Sequence, residues 1–164
     1  MLTTQTMAGT PAVGLRPRIA AITALLGRFP LGILQLGFRL AIASVFLKAG
    51  LNKLASWEIT VQLFRDEYKV PVFPPEIAAT MATTFEIGCS ALLIAGLATR
   101  LATLPLLGMI GVIQLFVYPE AYAEHLTWAS ILAFLLTRGA GAISLDRLLG
   151  LEPQPHDRPE LTSR

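Results

Sequence analysis

Residues 76–118 read EIAATMATTFEIGCSALLIAGLATRLATLPLLGMIGVIQLFVY. This stretch contains two long apolar runs, 77–97 and 101–118, which are separated only by residues 98–100. Each run is close to the roughly 20 residues that a helix needs to cross a hydrocarbon core about 30 Å thick. The stretch therefore predicts two antiparallel membrane-spanning helices that are joined by a tight turn.

The composition of the whole chain also favours a membrane protein. Of its 164 residues, 54% are hydrophobic and 15% are charged, and the mean hydropathy is +0.61. A soluble domain of this size would have to expose large apolar patches. The formal net charge of +2 is small and scattered. Because nucleic-acid binding requires a clustered basic face, no nucleic-acid partner is expected.

Two further spanning helices are predicted, at 31–51 after Pro30 and at 121–138. Between the first and second spans, residues 52–70 are too polar to cross a membrane, but their apolar side chains recur at spacings of three and four. This pattern predicts an amphipathic helix at the membrane interface, and a lid over the bundle would use the same apolar face. The predicted fold is an all-α integral membrane four-helix bundle with an interfacial amphipathic helix between spans 1 and 2.

The chain is expected to have three parts. They are an N-terminal cytoplasmic segment at 1–30 with a short amphipathic helix, a membrane domain at 31–150 and a disordered cytoplasmic tail at 151–164. With four spans, the arginines before span 1, between spans 2 and 3 and after span 4 share one side: Arg16, Arg18, Arg28, Arg100, Arg138 and Arg147. Because basic residues are enriched in cytoplasmic loops, both termini are expected in the cytoplasm, with the protein in the bacterial inner membrane.

Two charged residues lie deep in the predicted spans, Arg39 in the first and Glu86 in the second. Such a charge costs about 3 kcal/mol on insertion scales, so it normally has a partner or a function. At 1.5 Å per residue each lies about 13–15 Å from a helix end, which allows an intramembrane polar pair. The two residues form either an inert ion pair that fixes helix register or a proton-carrying or quinone-binding group in a dry cavity, or they are not partners at all.

Polar and aromatic residues gather at the predicted outer ends of the spans. The candidate contacts for a quinone or a solute are Lys48, Lys53, Gln114, His125 and Trp128. A polar rim with aromatic anchors is the alternative interpretation. The nearest approach to a metal-ligand set is Glu120, Glu124 and His125. One imidazole and two scattered carboxylates do not make a metal site, so no metal is predicted.

The chain contains no recognisable catalytic motif. Its single cysteine, Cys89, excludes an intrachain disulfide, and thiol exchange would need a sulfur from a partner. Residues 139–144 read GAGAIS and superficially resemble a dinucleotide-binding loop, but they lack a preceding strand and a third glycine. No catalytic residue is therefore assigned.

Four short motifs occur in a consistent order along the four-span pattern. They are F-x-K-x-G-x-x-K-L at 46–54, F-E-I-G at 85–88, L-A-T-R at 97–100 and S-L-D at 144–146. With the four spans over about residues 31–150, these motifs resemble those of the DoxX family of small bacterial membrane proteins. The family is named for a small membrane subunit associated with quinone-linked sulfur oxidation.

The resemblance implies an accessory or anchoring subunit of a quinone-linked or redox-stress oxidoreductase system, not catalytic alone. The implied cofactor is a quinone held through a partner, since none is evident in the chain. The expected partners are the lipid bilayer and either further copies of the chain or a membrane-bound or soluble oxidoreductase. One alternative is a small oligomeric membrane carrier for a hydrophobic or acidic solute, with Arg39 and Glu86 lining its path. Another is a purely structural scaffold.

Overall fold

Helices are the only regular elements in residues 15–69 and 73–151, which are the residues described by the computed structural model used here. In chain order they are α1 Leu15–Gly27, α2 Leu31–Ala55, α3 Trp57–Leu63, α4 Pro75–Ala95, α5 Thr99–Val112, α6 Tyr122–Arg138 and α7 Leu145–Leu148. Turns of π-helix extend α3 over Phe64–Tyr68 and α5 over Ile113–Val117. The prediction of an all-α chain is confirmed.

The chain divides into two units between Pro30 and Leu31. The first unit contains α1, whose apolar side chains are exposed by 51–68%, among them Ile22, Leu25 and Leu26. The second unit contains α2 to α7. The predicted disordered tail at 151–164 lies outside the described residues, apart from Leu151.

Three helices of the second unit are long and apolar enough to cross a membrane. They are α2, α4 and α5. The last of these includes its π-helical turn, so that this span covers Thr99–Val117. Helix α6 has 17 residues, or about 26 Å at 1.5 Å per residue, and completes a bundle by packing against α5 and α2. The protein is thus an all-α membrane bundle, as predicted.

The centre of the bundle is a layer of buried apolar side chains from all four of these helices. They include Ile42, Phe46, Leu93, Leu106, Ile110, Leu132 and Leu135. Lipid tails are as apolar as these residues, so their burial in a membrane gives little hydrophobic driving force between helices. Close packing and buried polar contacts must therefore determine how the helices fit together.

One such set of polar contacts lies at the end of the bundle where α4 meets the α6–α7 loop. Arg39 is 1% exposed, and its guanidinium donates to the carbonyl oxygens of Leu93, at 3.3 Å, and Ile143. One helical turn away, Gln35 donates to two carbonyl oxygens at the end of α6, at 3.1 and 3.2 Å. Both α2 side chains thereby tie that helix to α4 and to the loop after α6.

The short α7 holds the turn between α4 and α5. The Asp146 carboxylate accepts hydrogen bonds from the backbone N–H groups of Ala98, at 2.6 Å, and Thr99, at 2.9 Å. A carboxylate is favourable at a helix N-terminus, and here it also stabilises Ala98 in a left-handed conformation with φ 47°. The L-A-T-R and S-L-D motifs are therefore in direct contact.

Gly96 provides a test of this arrangement. Its φ is +68°, and a Cβ added there would overlap the Arg39 guanidinium and the Ser144 side chain. We expect Gly96→Ala to destabilise the protein by at least about 2 kcal/mol, from left-handed strain and displacement of a buried charge. Thermal unfolding in detergent measures the effect as a lower melting temperature.

Gly37→Ala is the matched control, because Gly37 is exposed within α2 and has no atom within 4 Å of the added Cβ. That change should be neutral or slightly stabilising, since alanine is the better helix former. Equal melting temperatures for the two variants would contradict the close approach of Gly96 to Arg39.

Candidate functional site

A cavity of about 520 Å³ lies inside the second unit, bounded by α2, the π-helical turn that follows α3, α4, α5 and α6. Small-molecule sites in proteins commonly enclose roughly 300–1,000 Å³ and are mostly apolar with a few polar groups. Much of this wall is aromatic or sulfur-containing, with Phe46, Phe64, Phe73, Met81, Phe85, Met109 and Trp128. The size and lining make this cavity the candidate ligand site.

Helical spacing explains how the sequence builds the wall. On α4, the lining residues are Ala78, Met81, Ala82, Phe85 and Glu86. Their spacings of three and four place them on one face of the helix. The short side chains of the alanines, together with Ala49 of α2, leave the space that larger residues would fill.

The Lys53–Glu86 ion pair forms the polar part of the wall between α2 and α4. Lys53 Nζ lies 2.7 Å from Glu86 Oε1 and 2.9 Å from Oε2. The Glu86 side chain is 3% exposed and that of Lys53 is 21% exposed. One turn earlier, Gly50 allows α2 to approach α4, because a Cβ there would lie 3.0 Å from Glu86 Cβ. Within the F-x-K-x-G-x-x-K-L motif, Gly50 thus lets the two helices come close, and the second lysine, Lys53, binds Glu86.

The predicted Arg39–Glu86 pair requires a correction, because the structure gives each residue other partners. Arg39 contacts Leu93, which lies about two helical turns beyond Glu86, or roughly 10 Å along α4. Lys53 occupies the position beside Glu86 instead. The sequence predicted that each charge lies near the middle of its own helix. It did not predict how far α2 is shifted along α4, and this shift determines which side chains meet.

His125 lines the cavity from the start of α6 and is 5% exposed. Its Nδ1 lies 2.7 Å from the side-chain oxygen of Gln114. The Gln114 side-chain nitrogen donates to the Pro119 carbonyl oxygen at 2.8 Å. Because the amide nitrogen is used there, the amide oxygen accepts from Nδ1–H of the imidazole. The ring also packs against Trp128, with 5.7 Å between centroids.

The amphipathic segment after α2 supplies another part of the wall through Phe64 and Tyr68. These two rings are 5.0 Å apart, and Tyr68 also contacts Tyr118 at 5.9 Å. The Tyr118 hydroxyl donates to Glu67 at 2.9 Å. Phe64 and Tyr68, on the apolar face of the segment, therefore cover the cavity. The contacts of Tyr118 with Glu67 and Tyr68 hold the segment against the end of α5.

The remaining predicted site residues divide between the wall and the surface. Trp128 and Glu124 line the cavity, whereas Lys48 and Glu120 are exposed and lie outside its lining. Within residues 15–69 and 73–151, no group of three or more His, Cys, Asp and Glu side chains is arranged to hold a metal ion. Cys89 is buried in the apolar core.

Sequence reasoning missed two features of the site. It did not assign Phe64 and Tyr68 to the wall of a ligand site, although the lid alternative used the same apolar face, and it did not pair Lys53 with Glu86. The spacing within 46–54 contained a signal for the second feature, since Gly50 and Lys53 lie on one face of α2. No comparable sequence signal indicated the π-helical turns.

The ion pair gives a stability prediction. Lys53→Met leaves a carboxylate buried without its partner, which should cost about 3 kcal/mol and lower the melting temperature. Replacing both residues, in Lys53→Met/Glu86→Met, should restore most of the loss because two apolar side chains of similar volume then meet. Lys48→Met, at an exposed lysine of the same helix, is the control and should have little effect. Additive losses in the double variant would argue against the pair.

Comparison with known proteins agrees with this architecture. A family model for DoxX matches residues 34–119, which is slightly more than half of the chain. The matched region contains Lys53, Glu86 and Gln114 but ends before His125. Searches of curated proteins and of solved structures gave no match. The family match, the three membrane-spanning helices and the contacts between the motifs lead to one conclusion: the chain belongs to the DoxX family of membrane proteins.

Proposed function

We propose that this protein binds a lipid-soluble small molecule inside its helix bundle, as an accessory or anchoring subunit of a quinone-linked or redox-stress oxidoreductase system. The observation that carries the proposal is the apolar cavity of about 520 Å³ with the Lys53–Glu86 pair and His125 in its wall. An apolar lining favours a molecule that already partitions into the membrane. A few polar groups then fix its orientation.

A quinone fits these properties. Its ring can pack against the aromatic wall near Phe46 and Trp128, which are themselves in contact at 5.9 Å. Its carbonyl oxygens are hydrogen-bond acceptors, and the partly exposed Lys53 ammonium is a donor. The redox part of the proposal comes from the family resemblance, since the family is named for a small membrane subunit associated with quinone-linked sulfur oxidation. Electrons would pass through the bound quinone or a partner protein.

The proposed location is the bacterial inner membrane, with both termini in the cytoplasm. This orientation follows from Arg100 at the start of α5 and Arg138 at the end of α6, which would both face the cytoplasm. The cavity would then lie in the outer half of the bundle. A homo-oligomer or a complex with an oxidoreductase is the proposed assembly.

A second candidate is a small oligomeric carrier for a hydrophobic or acidic solute. The specific observation in its favour is the Lys53 side chain, which is 21% exposed at the wall of an apolar cavity. An ammonium group in this position can attract a carboxylate head group while the apolar wall holds the remainder of the solute. Uptake by purified proteoliposomes would distinguish this carrier from an accessory subunit.

Purification of the tagged protein from its own host in mild detergent tests the leading proposal. Mass spectrometry of bound proteins and of extracted lipids should find a stoichiometric oxidoreductase or a retained quinone. A homo-oligomer with neither would contradict the redox proposal and favour the carrier.

A cavity-filling variant makes the test specific. Ala82→Phe adds a ring to the wall and should reduce the retained lipid-soluble ligand at least about ten-fold, because it removes volume without touching the polar groups. Ala91→Phe, at an exposed position of the same helix, is the matched control and should retain the ligand. Equal retention by the two variants would place the bound ligand outside this cavity.

A further inference from the structure

We infer that the cavity selects a neutral lipid-soluble molecule that carries a hydroxyl group, and that this hydroxyl donates a hydrogen bond to Nε2 of His125. The inference rests on the proposed function, because it assumes that the cavity holds a ligand. It adds the chemical class of that ligand and the residue that distinguishes it from similar molecules.

First, the hydrogen bonds of Gln114 determine which imidazole nitrogen of His125 carries the proton. Gln114 is fixed by its side-chain nitrogen, which donates to Pro119 at 2.8 Å. Its oxygen therefore accepts from Nδ1–H of His125, at 2.7 Å. A neutral imidazole that carries its proton on Nδ1 has a lone pair on Nε2, so Nε2 can only accept a hydrogen bond.

The second step is the position of that acceptor. His125 lines the cavity, but Gln114 does not, so the ring edge that carries Nε2 is the edge left to face the cavity. In the described part of the chain, no side chain or backbone group donates to Nε2. The acceptor is therefore open to the cavity, and a ligand hydroxyl that reaches it would supply the donor.

The third step is the state of the other polar groups in the wall. Both oxygens of Glu86 already accept from Lys53, and the Tyr118 hydroxyl already donates to Glu67. Glu124, the other carboxylate of the lining, is solvent-exposed, unlike His125. The opposite charges of Lys53 and Glu86 compensate each other, so a charged ligand would have to disrupt the pair. A neutral ligand leaves it intact.

The fourth step concerns selectivity. A further proton on Lys53 Nζ can be donated to a hydroxyl, a carbonyl or an ether oxygen alike, so lysine does not distinguish among these ligands. Nε2 of His125 does distinguish among them, because a site built to pair with a hydroxyl rejects an analogue that lacks it. With the aromatic wall around Phe46 and Trp128, these requirements describe a phenol-like molecule, such as the hydroxyl-bearing reduced form of the quinone proposed above.

The test compares 1-naphthol with 1-methoxynaphthalene, two neutral aromatic probes that differ in whether the oxygen carries a proton. Equilibrium binding is measured on the full-length protein in lipid nanodiscs, and the signal from empty nanodiscs is subtracted to remove membrane partitioning. The unaltered protein should bind 1-naphthol about ten-fold more tightly than the ether, as expected for one buried hydrogen bond.

Two variants assign the preference to His125. His125→Phe keeps an aromatic ring but removes the acceptor, so the two probes should bind equally. Gln114→Glu places a carboxylate beside Nδ1 and favours the protonated imidazole, whose Nε2 donates, so the preference should shift towards the ether. Glu120→Gln, at an exposed residue outside the cavity lining, is the control and should keep the ten-fold preference.

The outcomes separate this inference from the proposed function. Equal binding of both probes by the unaltered protein overturns the hydroxyl preference but leaves ligand binding in the cavity intact. Binding of neither probe contradicts the proposed function itself. If His125→Phe does not fold, the unaltered protein and Gln114→Glu still decide the matter, since an unchanged preference in Gln114→Glu overturns the role of His125.

Discussion

The close approach of α2 to α4 at Gly50 and at the Lys53–Glu86 pair is the constraint on which the rest of the structure depends. Helices in lipid gain little from burying apolar surface against each other, so buried polar groups and close backbone approach determine their fit. Lys53 and Gly50 fix one end of α2 against α4, and Arg39 fixes the other end through backbone carbonyl groups. The position of α2 along α4 is therefore determined at two separate levels of the bundle.

The cavity follows from this constraint. With α2 fixed along α4, the small residues Ala49 and Ala82 face a space that no neighbouring side chain fills. The amphipathic segment after α2 covers that space with Phe64 and Tyr68, and a hydrogen bond from Tyr118 to Glu67 ties it to α5. The same ion pair thus supports the fold and provides the polar part of a mostly apolar wall.

The sequence predicted the helices well because long apolar runs and prolines have strong local effects. The first span was expected to begin at residue 31, after Pro30, and the second to contain the apolar run 77–97. The observed helices are α2 Leu31–Ala55 and α4 Pro75–Ala95. The partner of Glu86 was not predictable in the same way. A sequence gives the depth of a charge within its own helix. The position of one helix along another depends on contacts between them, such as the close approach of Gly50 in α2 to Glu86 in α4. His125 and Gln114 were both identified as candidates, whereas their hydrogen bond depends on the non-helical turn before α6.

The central claim is that a lipid-soluble molecule enters the bundle. Photolabelling in nanodiscs with a lipophilic diazirine, followed by peptide mapping, tests it most directly. Labels should appear on Phe46 and Phe64, which line the cavity but are only 3% and 7% exposed. They should also appear on outward-facing residues such as Leu115, which is 72% exposed. Labelling of the outward-facing residues alone would contradict the account.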